Sequence, residues 1–293
     1  MNKYKVAVVV TTYNRPNALL WVLGGLQRQT LTPDLVVVAD DGSRADTSAA
    51  IESFKSAQIT HQLKIKHIWQ PDNGFRAGQI RNKGVAECFK VCGTTGVLIV
   101  FLDGDCIPLP DFLKRHVQLH SAAGPGWCVA GGRALLNDEL TRKLEFSHPD
   151  PSENIYCDRI TPAEIFKWRL CGYVNRALPL VSLPGVSWRL MHPRKWEMFR
   201  TCNASLRSED FLRINGFNED YIGWGYEDSD LAIRLIRSGV QMQNGRYATN
   251  VLHLWHPGSS RDALDRNRAL LDDAWTSCLQ AERGVHQYLQ ESQ

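Results

Sequence analysis

The sequence predicts an α/β fold, a mostly parallel central sheet flanked by helices. Three observations carry that prediction. Four short runs, Val6 to Val10, Leu35 to Ala39, Leu63 to Trp69 and Val97 to Leu102, have the length and β-branched content of strands. Segments with helical spacing separate them; Leu19, Leu20, Leu23 and Leu26 show it best. Three of the runs end in polar turns: Thr11-Thr12-Tyr13-Asn14-Arg15-Pro16, Asp40-Asp41-Gly42-Ser43 and Asp103-Gly104-Asp105. In a sheet built by repeated crossovers these turns share one edge, the edge where such sheets bind ligands.

The elements follow in order. Pro16 suits the first turn of a helix that continues through Leu26. A second helix is expected from Thr47 to Phe54, and a third from about Gln79 to Phe89, after the turn Asn73-Gly74-Phe75-Arg76. The second half is less regular. Val129-Ala130-Gly131-Gly132 is a candidate strand, and Asp210 to Phe217 reads as a short helix closed by Gly216. Gly223-Trp224-Gly225-Tyr226-Glu227-Asp228-Ser229-Asp230 leads into an amphipathic helix carrying Leu231, Leu235 and Ile236, ended by Gly239. Val251 to Pro257 is strand-like, and the tail from Asp262 is helical and charged.

The chain has 293 residues, 43% hydrophobic and 22% charged, enough for a full globular core. A net charge of +3 gives no global drive toward nucleic acid. No apolar stretch reaches the roughly 18 residues of a membrane span, and no secretory leader precedes the first strand. The eight cysteines include no Cys-x-x-Cys pair and read as reduced thiols in the core. A cytoplasmic protein is expected.

Asp103 and Asp105, split by a glycine that permits a tight bend, offer hard oxygen ligands to Mg²⁺ or Mn²⁺. Asp41 is placed to accept hydrogen bonds from a ribose or base, and Arg76, Arg81 and Lys83 to meet phosphate oxygens. Each pattern also has an ordinary structural reading, as a polar turn or a solvated basic face. Acids at a helix start suit the helix dipole, but Glu227 and Asp228 also follow a flexible aromatic approach. A carboxylate beside a sugar-stacking Trp224 suits a general base for a hydroxyl. His253 and His256, in an apolar segment, are candidate metal ligands. The chain lacks a phosphate loop of the Gly-x-x-x-x-Gly-Lys type and a Gly-x-Gly-x-x-Gly fingerprint, which disfavours kinases and dehydrogenases.

Val9 to Pro16, Val38 to Ser43, Arg81-Asn82-Lys83-Gly84, Leu102 to Asp105, and Gly216-Phe217 through Gly223 to Asp228 occur in that order. On these stretches the chain resembles the metal-dependent, inverting glycosyltransferases of family 2 with the Rossmann-like GT-A fold. Its second half looks like the galactosyltransferase-type region of bacterial chondroitin polymerases and animal β-1,4-galactosyltransferases. The resemblance implies a single GT-A domain over 1–262, with a nucleotide-sugar half (1–120), an acceptor-binding half (121–262) and a helical tail (263–293). It implies that Thr12, Tyr13, Arg15, Asp41, Arg81 and Asp103 bind a nucleotide-sugar, Arg81 on the diphosphate side. Asp105 and His253 would hold Mn²⁺ or Mg²⁺, with His256 the rival histidine. Trp224 and Glu227 would bind the acceptor, and Asp228 would be the catalytic base. The implied reaction moves a sugar, from a UDP-sugar by expectation, to a glycan or lipid-linked glycan in bacterial surface polysaccharide synthesis. One departure bears on acceptor choice: this chain has Gly225-Tyr226-Glu227-Asp228 where the animal enzymes have Gly-Gly-Glu-Asp.

Other readings are a retaining transferase of related fold, a sugar nucleotidyltransferase and a non-catalytic sugar-nucleotide-binding protein. Asp228 favours inversion, Thr11 to Pro16 lacks the glycines of a nucleotidyltransferase loop, and the Glu227-Asp228 pair favours an enzyme. A basic series, Lys167, Arg169, Arg176, Arg189, Arg194, Lys195 and Arg200, is interleaved with Trp168, Trp188 and Trp196. It is either a solvated insert or a peripheral contact with an anionic inner membrane.

Overall fold

The computed structural model describes residues 4–58, 62–147, 160–176, 185 and 187–290. The expected strand–helix alternation is present: β1 (Lys5–Thr12), α1 (Pro16–Gln27), β2 (Leu35–Asp40), α2 (Ala45–Ala57), β3 (Ile65–Trp69), α3 (Ala77–Cys92) and β4 (Val97–Asp103). Then come β5 (Cys106–Pro108), α4 (Phe112–Ala123), β6 (Trp127–Leu135), α5 (Asp138–Ser147), α6 (Pro162–Leu170), β7 (Asn203–Arg207) and α7 (Ser208–Arg213). α8 (Glu227–Arg237), β8 (Gln241–His253), α9 (Leu264–Asp273) and α10 (His286–Gln290) complete the described elements.

Among the described residues the strands form one sheet in the order β3-β2-β1-β4-β7-β6-β8-β5. β3, β2, β1 and β4 run parallel, and β7 enters antiparallel to both β4 and β6. β6 and β8 are again parallel, and the short β5 closes the far edge antiparallel to β8. Both faces of the first strands are buried, as near-continuous Val, Ile and Leu runs require. Ala7, Val9 and Val37 pack with Ile80, Phe101, Phe211, Phe217 and Leu231 beneath α3, α7 and α8. Val6, Val8, Val10 and Val36 pack with Leu19, Leu23, Ile51 and Leu113 beneath α1, α2 and α4.

Register delivers the three turns to one edge: Thr11 lies opposite Asp103, and Thr12 opposite Asp40. Phe217 and Val285, the latter between α9 and α10, are fully buried in the same core as β1 and β4. No helix among the described residues is long and apolar enough to cross a membrane.

Several elements differ from the sequence expectation. The helix expected from Asp210 is α7, shifted to Ser208–Arg213; Gly216 then turns the chain at φ 68°. The strand expected from Val251 begins ten residues earlier, at Gln241, and ends at His253. α4 and β7, absent from the sequence expectation, mix apolar and polar groups at their buried positions: Phe112, Leu113, Val117 and Leu119 with His116 and His120, and Ala204 and Leu206 with Asn203 and Ser205. His116 and His120 on α4 are fully buried against β7, with His116 Nδ1 2.7 Å and His120 Nε2 2.9 Å from Ser205 Oγ. His116 Nε2 lies 3.1 Å from Asn203 Oδ1.

Burial holds both imidazoles near pH 3, far below the usual 6.5. A histidine that stays neutral in the fold while the unfolded chain protonates contributes stability that is complete above 6.5 and falls as pH drops toward 3. For the pair this is up to about 2.7 kcal/mol per pH unit. In urea unfolding between about pH 6 and pH 5, wild type is expected to lose stability on acidification more steeply, by up to this amount, than His116→Gln/His120→Gln. An unchanged slope in that variant would assign the acid sensitivity elsewhere.

Candidate active site

A cavity of about 970 Å³ opens at the edge where β1, β2 and β4 end. Eleven of the candidate side chains line it: Thr12, Tyr13, Arg15, Asp41, Arg81, Asp103, Asp105, Trp224, Glu227, Asp228 and His253. Arg76 and Lys83 are not in its lining; Lys83 Nζ donates instead to Gln70 Oε1 at 2.9 Å. The β1 and β2 turns form its first wall. Thr12 is 5% exposed, and its hydroxyl has no hydrogen-bond partner among the described residues. Tyr13 is half exposed and donates to Asp72 Oδ2 at 2.9 Å. Asp41 accepts from Gln70 Nε2 at 2.6 Å and from the Arg76 N–H at 2.8 Å. Burial raises its carboxyl above the usual range despite both donors.

The centre is a buried ionic cluster. Arg81, only 4% exposed, rises from α3 behind the sheet edge. It donates to Thr11 Oγ1 at 3.1 Å and Asp103 Oδ1 at 3.0 Å, and its Nη1 lies 3.5 Å from Glu227 and 3.6 Å from Asp228. The diphosphate side was the sequence expectation for Arg81; the structure commits its guanidinium to three carboxylates. Burial alone would weaken this guanidinium's hold on its proton, but Asp103, Asp228 and Glu227 outweigh it and push its pKa up. Burial raises Asp103 to about 6, opposed by Arg81 and reinforced by Asp105 and Asp228. Burial and the adjacent Asp228 raise Glu227 to about 7.

Glu227 and Asp228 open α8, and the chain enters that helix through a left-handed residue, Tyr226, at φ 70°. This is the position where the animal enzymes carry glycine, the residue that adopts such a φ without strain. The preceding loop is pinned from two sides. The Gly223 N–H donates to Phe75 O at 2.9 Å. Asn267 Nδ2, buried on α9, donates to Gly223 O at 3.3 Å and Gly225 O at 3.1 Å. Trp224 is left 40% exposed at the mouth.

A third group forms where β4 turns into β5 and β8 ends. Asp105, His253 and His256 each offer a ligand atom, all within 4.8 Å of one another. Cys106 pairs with His253 across β5 and β8, which brings the β4–β5 turn beside the histidine. His253 Nε2 is 3.6 Å from Asp105 Oδ1, and His256 Nε2 is 3.5 Å from Asp105 Oδ2. His256 Nδ1 lies 2.7 Å from Pro257 O; donating there, it leaves Nε2 free to accept. Burial lowers the pKa of His253, with Asp105 opposing. The Arg15 guanidinium also sits on this group, donating to Asp105 Oδ2 at 2.9 Å, Glu145 at 3.2 Å and Trp255 O at 3.1 Å. His253 and His256, set against each other in the sequence, are both in place.

No motif marks Gln70, Glu145, Thr201, Cys202 or Asn267, polar or thiol groups in loops or isolated on helices. Of the basic series, Arg189 is buried and donates to Asn244 O and Arg246 O, both at 2.6 Å. Lys167 and Arg169 are exposed on α6 beside Phe166 and Leu170, 56% and 73% exposed.

Residues 7–168 match the family described as glycosyl transferase family 2. The chain belongs to glycosyltransferase family 2. Residues 187–257 of this family 2 chain match a second description, the N-terminal domain of galactosyltransferase. It is 30% identical over 249 residues to validoxylamine A glucosyltransferase of Streptomyces hygroscopicus subsp. limoneus, covering 82% of this chain and 50% of that protein. It is 26% identical over 250 residues to chondroitin synthase of Escherichia coli, covering 82% of this chain and 33% of that protein. The chain thus spans about half or less of the length of these curated relatives. Its fold is similar to S. aureus TarS 1-349 in complex with UDP-GlcNAc, with a TM-score of 0.62 at 17% identity, covering 98% of this chain and 71% of that one. It is also similar to mannosyltransferase PcManGT from Pyrobaculum calidifontis in complex with GDP-Man and Mn²⁺, with a TM-score of 0.50 at 18% identity, covering 90% and 61%. The fold of this family 2 chain is GT-A-like.

Removing Arg81 leaves three carboxylates facing one another in a partly buried site. Arg81→Met is expected to destabilise the fold by about 3 kcal/mol at neutral pH. The loss is expected to shrink toward about pH 5, because the stranded carboxyls then bind protons in the fold that the unfolded chain does not. Urea unfolding checks both, and a loss that grows on acidification would contradict the cluster's role.

Proposed function

We propose that this glycosyltransferase moves a sugar from a UDP-sugar to a hydroxyl of a glycan or lipid-linked glycan by a single displacement that inverts the anomeric carbon. The observation that carries the proposal is the shared cavity. It holds Asp228 on one side and the Asp105, His253 and His256 group on the other, with Asp103 and Arg81 between.

Asp41 and the unpartnered Thr12 hydroxyl suit the nucleoside, whose base and ribose offer donors and acceptors, with Tyr13 beside them. One carboxylate oxygen and two imidazole nitrogens fit Mn²⁺ better than Mg²⁺, whose ligands are oxygens, and a cation, the Arg15 guanidinium, already rests on Asp105. When bound there, the metal neutralises charge on the departing diphosphate. Arg15 and Asp103 flank that position.

On the other side, Trp224 offers a flat apolar face to the acceptor sugar, and Glu227 a carboxyl able to accept or donate a hydrogen bond near neutral pH. Asp228 takes the proton of the attacking hydroxyl. Arg81 acts indirectly, fixing Asp103, Glu227 and Asp228 around one guanidinium. The exposed Phe166, Lys167, Arg169 and Leu170 of α6 support a peripheral contact with an anionic membrane, where a lipid-linked acceptor would lie.

The test is Asp228→Asn assayed on UDP-glucose, UDP-GlcNAc and GDP-mannose. Wild-type turnover of the preferred donor should vanish in excess chelator and return with Mn²⁺. The variant should stay at least about 100-fold slower with Mn²⁺ present, yet bind UDP as wild type does in calorimetry. Near-normal turnover by the variant would remove Asp228 as the base.

A further inference from the structure

Thr201 lies in the turn before β7, is fully inaccessible to solvent, and carries no sequence motif. Its N–H donates to Asp228 Oδ2 at 3.1 Å, and its hydroxyl donates to Asp228 Oδ1 in a short hydrogen bond. One residue therefore grips both oxygens of this carboxylate. The next residue reaches the other side of the site: Cys202 O accepts from the Asp103 N–H at 3.4 Å. Asn203 then begins β7 and pairs with Leu102 on β4.

Two consecutive residues thus join the head of α8 to the Asp103–Asp105 turn. The carboxylate at 228 is 18% exposed, enough to meet a hydroxyl in the cavity, while its back is held by a donor pair that cannot rotate away. Arg81 supplies charge to the same carboxylate from 3.6 Å but also serves Asp103 and Glu227, so it does not by itself fix the carboxylate plane. We infer that Thr201 is a positioning residue of the transfer reaction, orienting Asp228 toward the acceptor hydroxyl and setting its separation from the donor-side turn. The inference rests on the reading of Asp228 as the base.

A hydrogen bond from a neutral donor to an ionised carboxylate is among the stronger ones, and loss of orientation is felt in the chemical step more than in binding. The experiment compares Thr201→Val, which keeps the shape and the N–H but removes the hydroxyl, with Thr201→Ser, which keeps the donor. Thr201→Cys, with a weaker donor, covers a valine chain that does not fold. The sugar nucleotide turned over fastest in the panel above is the probe. Thr201→Val is expected to lower kcat about 10- to 100-fold with the donor KM within about twofold of wild type. Thr201→Ser should return most of the rate and Thr201→Cys fall between. In an Asp228→Asn background, Thr201→Val should cost nothing further, since the group it orients is already disabled. A wild-type kcat in Thr201→Val, a loss confined to KM, or no recovery with serine would overturn the inference. If Asp228→Asn alone keeps near-normal turnover, the base assignment has failed and the inference falls with it. If Asp228→Asn is inactive while Thr201→Val is normal, the inference alone is lost.

Discussion

Arg81 and the carboxylates around it set the terms for the rest of the molecule. Asp103 ends β4, while Glu227 and Asp228 begin α8; Thr11, the fourth partner, is the last residue but one of β1. Three carboxyl groups this close repel one another, and burial makes the charges of Asp103 and Glu227 harder to keep. A single guanidinium satisfies all three, at separations from 3.0 to 3.6 Å. The positive end of α8 adds a smaller favourable field at Glu227 and Asp228. The fold must therefore bring β1 and β4 side by side and aim α8 at their ends, and its strand order does so.

The same cluster explains how the second half of the chain serves the first. β7 sits between β4 and β6, so the later strands extend the same sheet. The turn into β7 carries Thr201 and Cys202 to Asp228 and Asp103, and the end of β8 carries His253 to Asp105. The Trp224 loop closes over the mouth under the hold of Phe75 and Asn267. Tyr226 enters α8 at a positive φ while packing beside Ile233, Leu271 and Ala274, so its ring helps seat α9 at the mouth. A glycine there would relieve the backbone and lose that contact.

Much of the fold and the site was legible in the sequence, for physical reasons that can be named. Val6 to Val10 and Val97 to Leu102 are buried on both faces, so their composition alone marks them as central strands. The carboxylates at their ends follow from the geometry of parallel crossovers, and eleven of the candidate side chains reach one cavity. α4 and β7 were harder to read because His116, His120, Asn203 and Ser205 satisfy one another inside the core, so polar residues stand at buried positions beside Phe112, Val117, Ala204 and Leu206. β8 was cut short because Gln243, Asn244 and Gly245 do not alternate as a half-buried strand does, and its register with β6 shifts between Gly131 and Gly132. The acids around Arg81 were not legible, because a basic residue at a helix start says nothing about the carboxylates that will meet it. Thr201 was invisible for the same reason: its partner lies 27 positions away.

The account's central claim is a one-step displacement with Asp228 as base on the face opposite the leaving group. The most direct measurement is the anomeric configuration of the product by proton NMR, made with an α-linked sugar nucleotide. A β-glycoside as the initial product is the result the account predicts. An α-glycoside, with configuration retained, would contradict it.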